Sequence, residues 1–330
     1  VLLLAFLNPI LEIMGAGQTI GYATDYGNII LAGAILVILS NALYGIFRGE
    51  GDTKRPMYAM IASAILNMVL DPIFIYGLNL GVEGAAIATV ISLLLVNLIL
   101  LYWFYIKKNT YLKPFLSNFK FNWNISFDIL KVGLPASLEL INNALFAGIF
   151  SLLLATVAST DAVAVYSTGW RVVTIGTTPM LAIATALISV VGANYGARKY
   201  EDIKTAHRYS IKISTIFGIA IACLIFVFAP QIAGIFTYAG TSTRLTPSLV
   251  AFLSAIVLFL PTMGYGATST YVFQGTGRGI TAMFQTILRE TVFPLGFAIL
   301  LAIVLGYGEY GAWWGIILGE LVLNTITMIW

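Results

Sequence analysis

The densest chemical grouping in the sequence is one carboxylate followed by two amides: Glu139, Asn142 and Asn143. In a helix, residues three and four positions on share the face of the first. One carboxylate beside two amide oxygens can coordinate Na⁺. It can instead hold a proton, since burial favours the neutral form of a carboxyl group. Glu139 lies about eleven residues into an apolar run, roughly 16 Å at the helical rise. The structural alternative is a buried glutamate bonded to a neighbouring helix. A second pair, Asn67 and Asp71, is also one helical turn apart. Asp71 precedes Pro72, so it can alternatively cap the residues that follow the proline.

Four further residues form a weaker set that can line a cavity: Met263, Tyr265, Arg171 and Glu320. Met263 and Tyr265 lie near an expected bend at Gly264 and Gly266. Thioether and aromatic side chains hold flat cations by polarisability and by the negative ring face. Arg171, beside Trp170, can pair with a carboxylate or extend outward, and Glu320 lies within the last apolar run. Glu290 adjoins Arg289 and is expected to form a local pair near the end of its helix.

Catalytic and metal constellations are lacking. The sequence has one histidine, His207, and one cysteine, Cys223, so a disulfide within it is impossible and a Cys-rich metal site is excluded. The run from Arg48 to Lys54 lacks the spacing of a phosphate-binding loop, and reads as a tight turn with Asp52 and Thr53 capping the next helix. Neither enzyme activity, a cofactor nor a nucleic-acid partner is expected.

These residues sit in a chain that is 59% hydrophobic and 9% charged, with mean hydropathy +0.94. An ordinary soluble domain carries about 25% charged residues. The partner of such a surface is a lipid bilayer. A helix needs about 20 apolar residues to cross it. Ten runs qualify, near 1–14, 27–47, 55–77, 82–106, 128–157, 162–192, 205–236, 246–273, 280–305 and 311–330. Pro135, Pro179, Pro261 and Pro294 fall inside them. Alternate connections are basic: 48–55, 107–131, 198–212 and 278–289. Of the 17 Lys and Arg residues, all but Arg171 and Arg244 fall on that side. An excess of cations marks the cytoplasmic side, giving a multi-pass protein of the cell membrane. The first run is short and the last runs to the end of the sequence, as expected of a fragment trimmed at both ends.

The chain also repeats itself. Phe47-Arg48-Gly49-Glu50-Gly51 and Phe273-Gln274-Gly275-Thr276-Gly277 lie between spans on the same side, and Met57 and Met283 follow at equal distances. Gly84-Ala85-Ala86 and Gly311-Ala312-Trp313 each start a span. A parallel repeat is one architecture of secondary transporters, which place their site at a repeat interface. The division expected is a partial first lobe over 1–106, a cytoplasmic linker over 107–127, and a second lobe over 128–330. Aromatics and lysines in the linker suit a membrane surface.

Five ordered motifs carry a family resemblance: Arg48 to Met57, Leu70-Asp71-Pro72-Ile73-Phe74-Ile75-Tyr76-Gly77, Gly81 to Thr89, Gly133-Leu134-Pro135-Ala136-Ser137, and Val191 to Tyr200. Together they resemble the multidrug and toxic compound extrusion (MATE) family along essentially the whole chain. The resemblance implies an all-α polytopic membrane protein with two parallel-repeat six-helix lobes, the first truncated by loss of its first two helices. It implies export of small organic cations or amphipathic compounds in exchange for Na⁺ or H⁺ by alternating access; a monomer is expected. It implies a cation-linked carboxylate at Glu139 and a proton-responsive network at Asn67 and Asp71. A first-helix aspartate found in many relatives would precede this sequence. The fragment is expected not to transport by itself. The alternative in the same superfamily is a lipid-linked oligosaccharide flippase, which needs several cations in its cavity to hold pyrophosphate.

Overall fold

The computed structural model describes residues 7–9, 20–107, 121–238 and 240–329. Within them every long element is a helix. They are α1 (Ile20–Ala32), α2 (Ala34–Gly49), α3 (Lys54–Gly77), α4 (Gly81–Ile106), α5 (Trp123–Val157), α6 (Thr160–Gly196), α7 (Tyr200–Val227), α8 (Ala229–Phe236), α9 (Thr243–Gly275), α10 (Gly279–Val304) and α11 (Gly308–Ile329). Among the described residues, eight helices are long and apolar enough to cross a membrane, or nine if α1 and α2, bent by 49°, form one span. The chain is thus an all-helical, multi-pass membrane protein. The expected span at 1–14 lies largely outside the described residues, as does most of the linker, whose end at Trp123 already belongs to α5.

Two expectations are corrected. The run at 205–236 is not one span: α7 ends at Val227 and the short α8 follows, with Pro230 in its first turn. Proline has no amide hydrogen to donate and fits a helix start. The bend expected at Gly264 and Gly266 is absent. The helix runs unbroken over Leu260–Gly275, and a 3₁₀ turn at Val257–Phe259 comes before Pro261 instead. The two glycines serve close packing: a Cβ at Gly264 would strike Ser214 and Thr215 of α7, and one at Gly266 would strike Asn324 of α11.

The chain divides into two compact units, residues 1–120 and 121–330. Unit 1 buries Leu43, Phe47, Val96, Leu100 and Phe104. Unit 2 buries a larger core in which Phe150, Leu154, Phe252 and Trp313 are almost fully enclosed. The exposed faces carry bare aliphatic side chains, such as Met68 and Ile65 on α3 and Ile149 and Leu152 on α5. Lipid tails cover such faces without loss.

The internal repeat appears in the backbone. Asp52 N donates to Phe47 O at 2.9 Å, and Arg278 N donates to Phe273 O at 2.9 Å. Gly51 and Gly277 hold φ of 80° and 78°, a region costly for side chains with a Cβ. Asp52 Oδ1 accepts from the amides of Lys54 and Arg55 at 3.0 and 3.1 Å, so the cap comes from Asp52 and not from Thr53. At the other end, α3 and α10 both finish in a π-helical turn, Ile73–Gly77 and Leu300–Val304. The stretch from Gly277 to Leu300 is one residue longer than that from Gly51 to Ile73. The copies also differ within that stretch: α10 contains a further π-turn at Leu288–Val292, where α3 is regular. On the poorly charged side, Arg244 and Asp161 pair at 2.8 Å.

Candidate functional site

Unit 2 encloses a cavity of about 450 Å³ between α5, α6, α9, α10 and α11. Such a volume suits a drug-sized molecule. Glu139 lines it from α5, and its two carboxylate oxygens accept from Gln274 Nε2 of α9 at 3.3 and 3.2 Å. Asn143 lines the cavity as well. Asn142 is not in the lining; it turns to α10, where its Oδ1 accepts from Thr291 Oγ1 at 2.9 Å. The reason is geometric. Positions i+3 and i+4 fall on opposite sides of position i and diverge by about 100°. The expected trio therefore splits, with Glu139 and Asn143 on the cavity.

Three more charges enter from α10 and α11. Arg289 and Glu290 form an ion pair, and Arg289 Nη1 lies 3.8 Å from Glu320 Oε2. Glu320 also accepts from Asn324 Nδ2 at 3.1 Å. Both residues of the pair lie in the π-turn at Leu288–Val292, a kind of turn frequent at functional sites. The expected local pair is thus present, but it belongs to the cavity wall. Its legible signal was an ionised pair inside an apolar run, where charge is costly.

The remaining wall is aromatic and soft. Trp170 stacks on Phe259 with ring centroids 6.4 Å apart, Tyr166 packs beside Trp170, and Met263 joins them. Met263 and Glu320 hence line this cavity, while Tyr265 and Arg171 do not. Tyr265 OH lies 3.3 Å from Thr325 Oγ1, and Arg171 is exposed. When ionised, three carboxylates outnumber one guanidinium among the charged lining residues.

Unit 1 holds a smaller cavity, about 340 Å³, lined by Ser40, Asn41, Tyr44, Ser63, Asn67 and Thr89 among others. Asn67 Nδ2 donates to Asp71 Oδ1 at 3.3 Å. Asn67 faces this cavity and Asp71 does not line it. The turn after Pro72 has no side-chain cap, so the capping alternative for Asp71 is not realised.

Comparison with known proteins adds the following. The MatE family profile matches residues 1–73 and 135–305. A multidrug export protein, MepA, of Staphylococcus haemolyticus is 27% identical over 329 residues, covering 99% of this chain and 71% of its own. A solved multidrug resistance MATE family transporter of the MOP superfamily, in an outward-facing conformation, superposes with TM-score 0.96 at 37% identity, covering 99% of this chain and 73% of its own. A MOP superfamily transporter from Pyrococcus furiosus superposes with TM-score 0.95 at 38% identity, with the same coverage; it is described as having a binding pocket of reverse polarity that suggests a different function.

Proposed function

Because the chain belongs to the MatE family of multidrug efflux transporters, we propose that it exports organic cations and drugs in exchange for Na⁺ or H⁺ by alternating access, as a monomer, with Glu139 as the coupling carboxylate. It is a transporter and not an enzyme.

One observation carries the reading. Among the described residues, Glu139 is the cavity carboxylate without an ion-pair partner; it is held by the neutral amide of Gln274. An unpaired carboxylate at low dielectric is unstable as a bare anion. It gains from taking a proton, a Na⁺ or a substrate cation. Exchange follows if the coupling ion and the substrate compete for the same group, since each then disfavours the other's bound state. Asn143 supplies an amide close by, and the Trp170, Phe259 and Met263 wall suits a flat cation. In unit 1 we assign Asn67 and Asp71 to a second polar network that responds to the same ion. The flippase alternative calls for an excess of cationic residues, and the charge balance in this cavity is the opposite. With a reverse-polarity neighbour at equal similarity, that balance supports a cationic substrate better than family membership does alone.

The test is ethidium transport by the full-length transporter in proteoliposomes, under an imposed Na⁺ gradient and then a pH gradient. Uptake driven by one gradient and lost in Glu139→Gln is expected. Uptake that survives Glu139→Gln moves coupling to Asp71 or beyond, and no uptake under either gradient sinks the export reading.

A further inference from the structure

The two cavities occupy corresponding places in the repeat. Counted from the shared turns, Val37 matches Met263, Tyr44 matches Thr270 and Met60 matches Thr286, and all six line their cavities. Beyond the extra residue of α10, Leu93 matches Glu320. Where unit 2 carries Arg289, Glu290 and Glu320, unit 1 carries Ser63, Ala64 and Leu93. The three charges are thus a feature of one copy. Two of them, Arg289 and Glu290, lie within its π-turn.

From this placement we infer that Arg289 is a tethered cation that sets how many cationic centres the cavity accepts. A guanidinium stays protonated in proteins. Arg289 is 4% exposed. It spans Glu290 and Glu320, so both carboxylates already have a positive partner. One cavity carboxylate, Glu139, is left for a mobile cation. Arg289 Nε and Glu290 Oε2 are buried and make no hydrogen bond among the described residues, so the cluster keeps unfilled donor and acceptor capacity. Arg289 therefore determines specificity, selecting ligands with one cationic centre over ligands with two. The inference rests on the proposed reading of the cavity as a site for organic cations.

Ethidium and propidium test it, because they share one ring system and carry one and two positive charges. Their binding to the full-length transporter in lipid nanodiscs is measured by fluorescence, and the ratio of the two Kd values is the readout. A loss of packing alone weakens both dyes alike and leaves the ratio unchanged. Removing the tethered charge with Arg289→Gln is expected to shift the ratio toward propidium by at least about tenfold, since a freed carboxylate attracts the second charge at low dielectric. The double variant Arg289→Gln/Glu320→Gln removes one charge of each sign. It frees Glu290 at constant net charge, and is expected to shift the ratio the same way even if the single variant folds poorly. Arg289→Lys is expected to retain the wild-type ratio. An unchanged ratio in the double variant overturns the tethered cation. Binding of neither dye to the wild type overturns the cation-site reading, and this inference with it.

Discussion

Gly266 and Asn324 are expected to be strongly coupled. Asn324 is fully buried on α11 and packs its side chain against the bare Cα of Gly266, where any Cβ would overlap it. Its Nδ2 donates to Thr262 Oγ1 and to Glu320 Oε2, both at 3.1 Å. Gly266→Ala forces a methyl group into a filled space, a cost of about 1–3 kcal/mol. Asn324→Ala removes two hydrogen bonds, the buried one to a carboxylate, for about 2–4 kcal/mol together. In the double variant the new methyl group enters the space that the amide leaves. The two losses are then expected to fall short of their sum by more than about 1 kcal/mol, the range of contacting residues. The measurement is reversible unfolding of the four proteins in detergent micelles. Losses that add to within about 0.5 kcal/mol refute the argument, because additivity at that level marks independent sites. The first copy gives a parallel contact: Asn97 Nδ2 bonds to Ser40 Oγ at 2.9 Å, with Ser40 standing where the second copy has Gly266.

Two other outcomes follow from local geometry. Asp52→Ala is expected to lose about 1 kcal/mol of local stability, as for other helix caps, and to speed amide exchange at Lys54 and Arg55, whose hydrogens it binds. Deleting Thr291 is expected to return the Leu288–Val292 segment to a regular helix, like its counterpart in α3. The helix content should stay the same by circular dichroism, while a cysteine pair engineered at 289 and 320 should crosslink less.

The fold was largely legible because each span meets a simple requirement. About 20 apolar residues between polar turns has few readings other than a membrane crossing. Where the expectation failed, proline and glycine were ambiguous. Pro230 starts a new helix and ends the long run, while Pro135 and Pro179 lie inside unbroken helices. Gly264 and Gly266 looked like a bend, yet a glycine serves equally where two helices approach closely. The cavity was half legible. Glu139 and Glu320 stood out as acids in apolar runs. Arg289 and Glu290 were seen only as neighbours, because a π-turn leaves no mark in the periodicity of a sequence. The split between Asn142 and Asn143 needed the position of α10, which lies far away along the chain.

The Asp161–Arg244 pair bears on how the chain enters its membrane. Arg244 is the one basic residue expected on the outward side, and its partner starts a different helix. Carrying one positive charge outward against an inside-negative potential costs about 2.3 kcal/mol per 100 mV. Carrying a negative charge the same way recovers an equal amount. Insertion of the segments bearing Asp161 and Arg244 is therefore neutral to voltage as a pair, although neither is neutral separately. An Asp161→Asn chain would lose the carboxylate paired with Arg244, so part of the burden of that change falls on biogenesis before it reaches the finished fold.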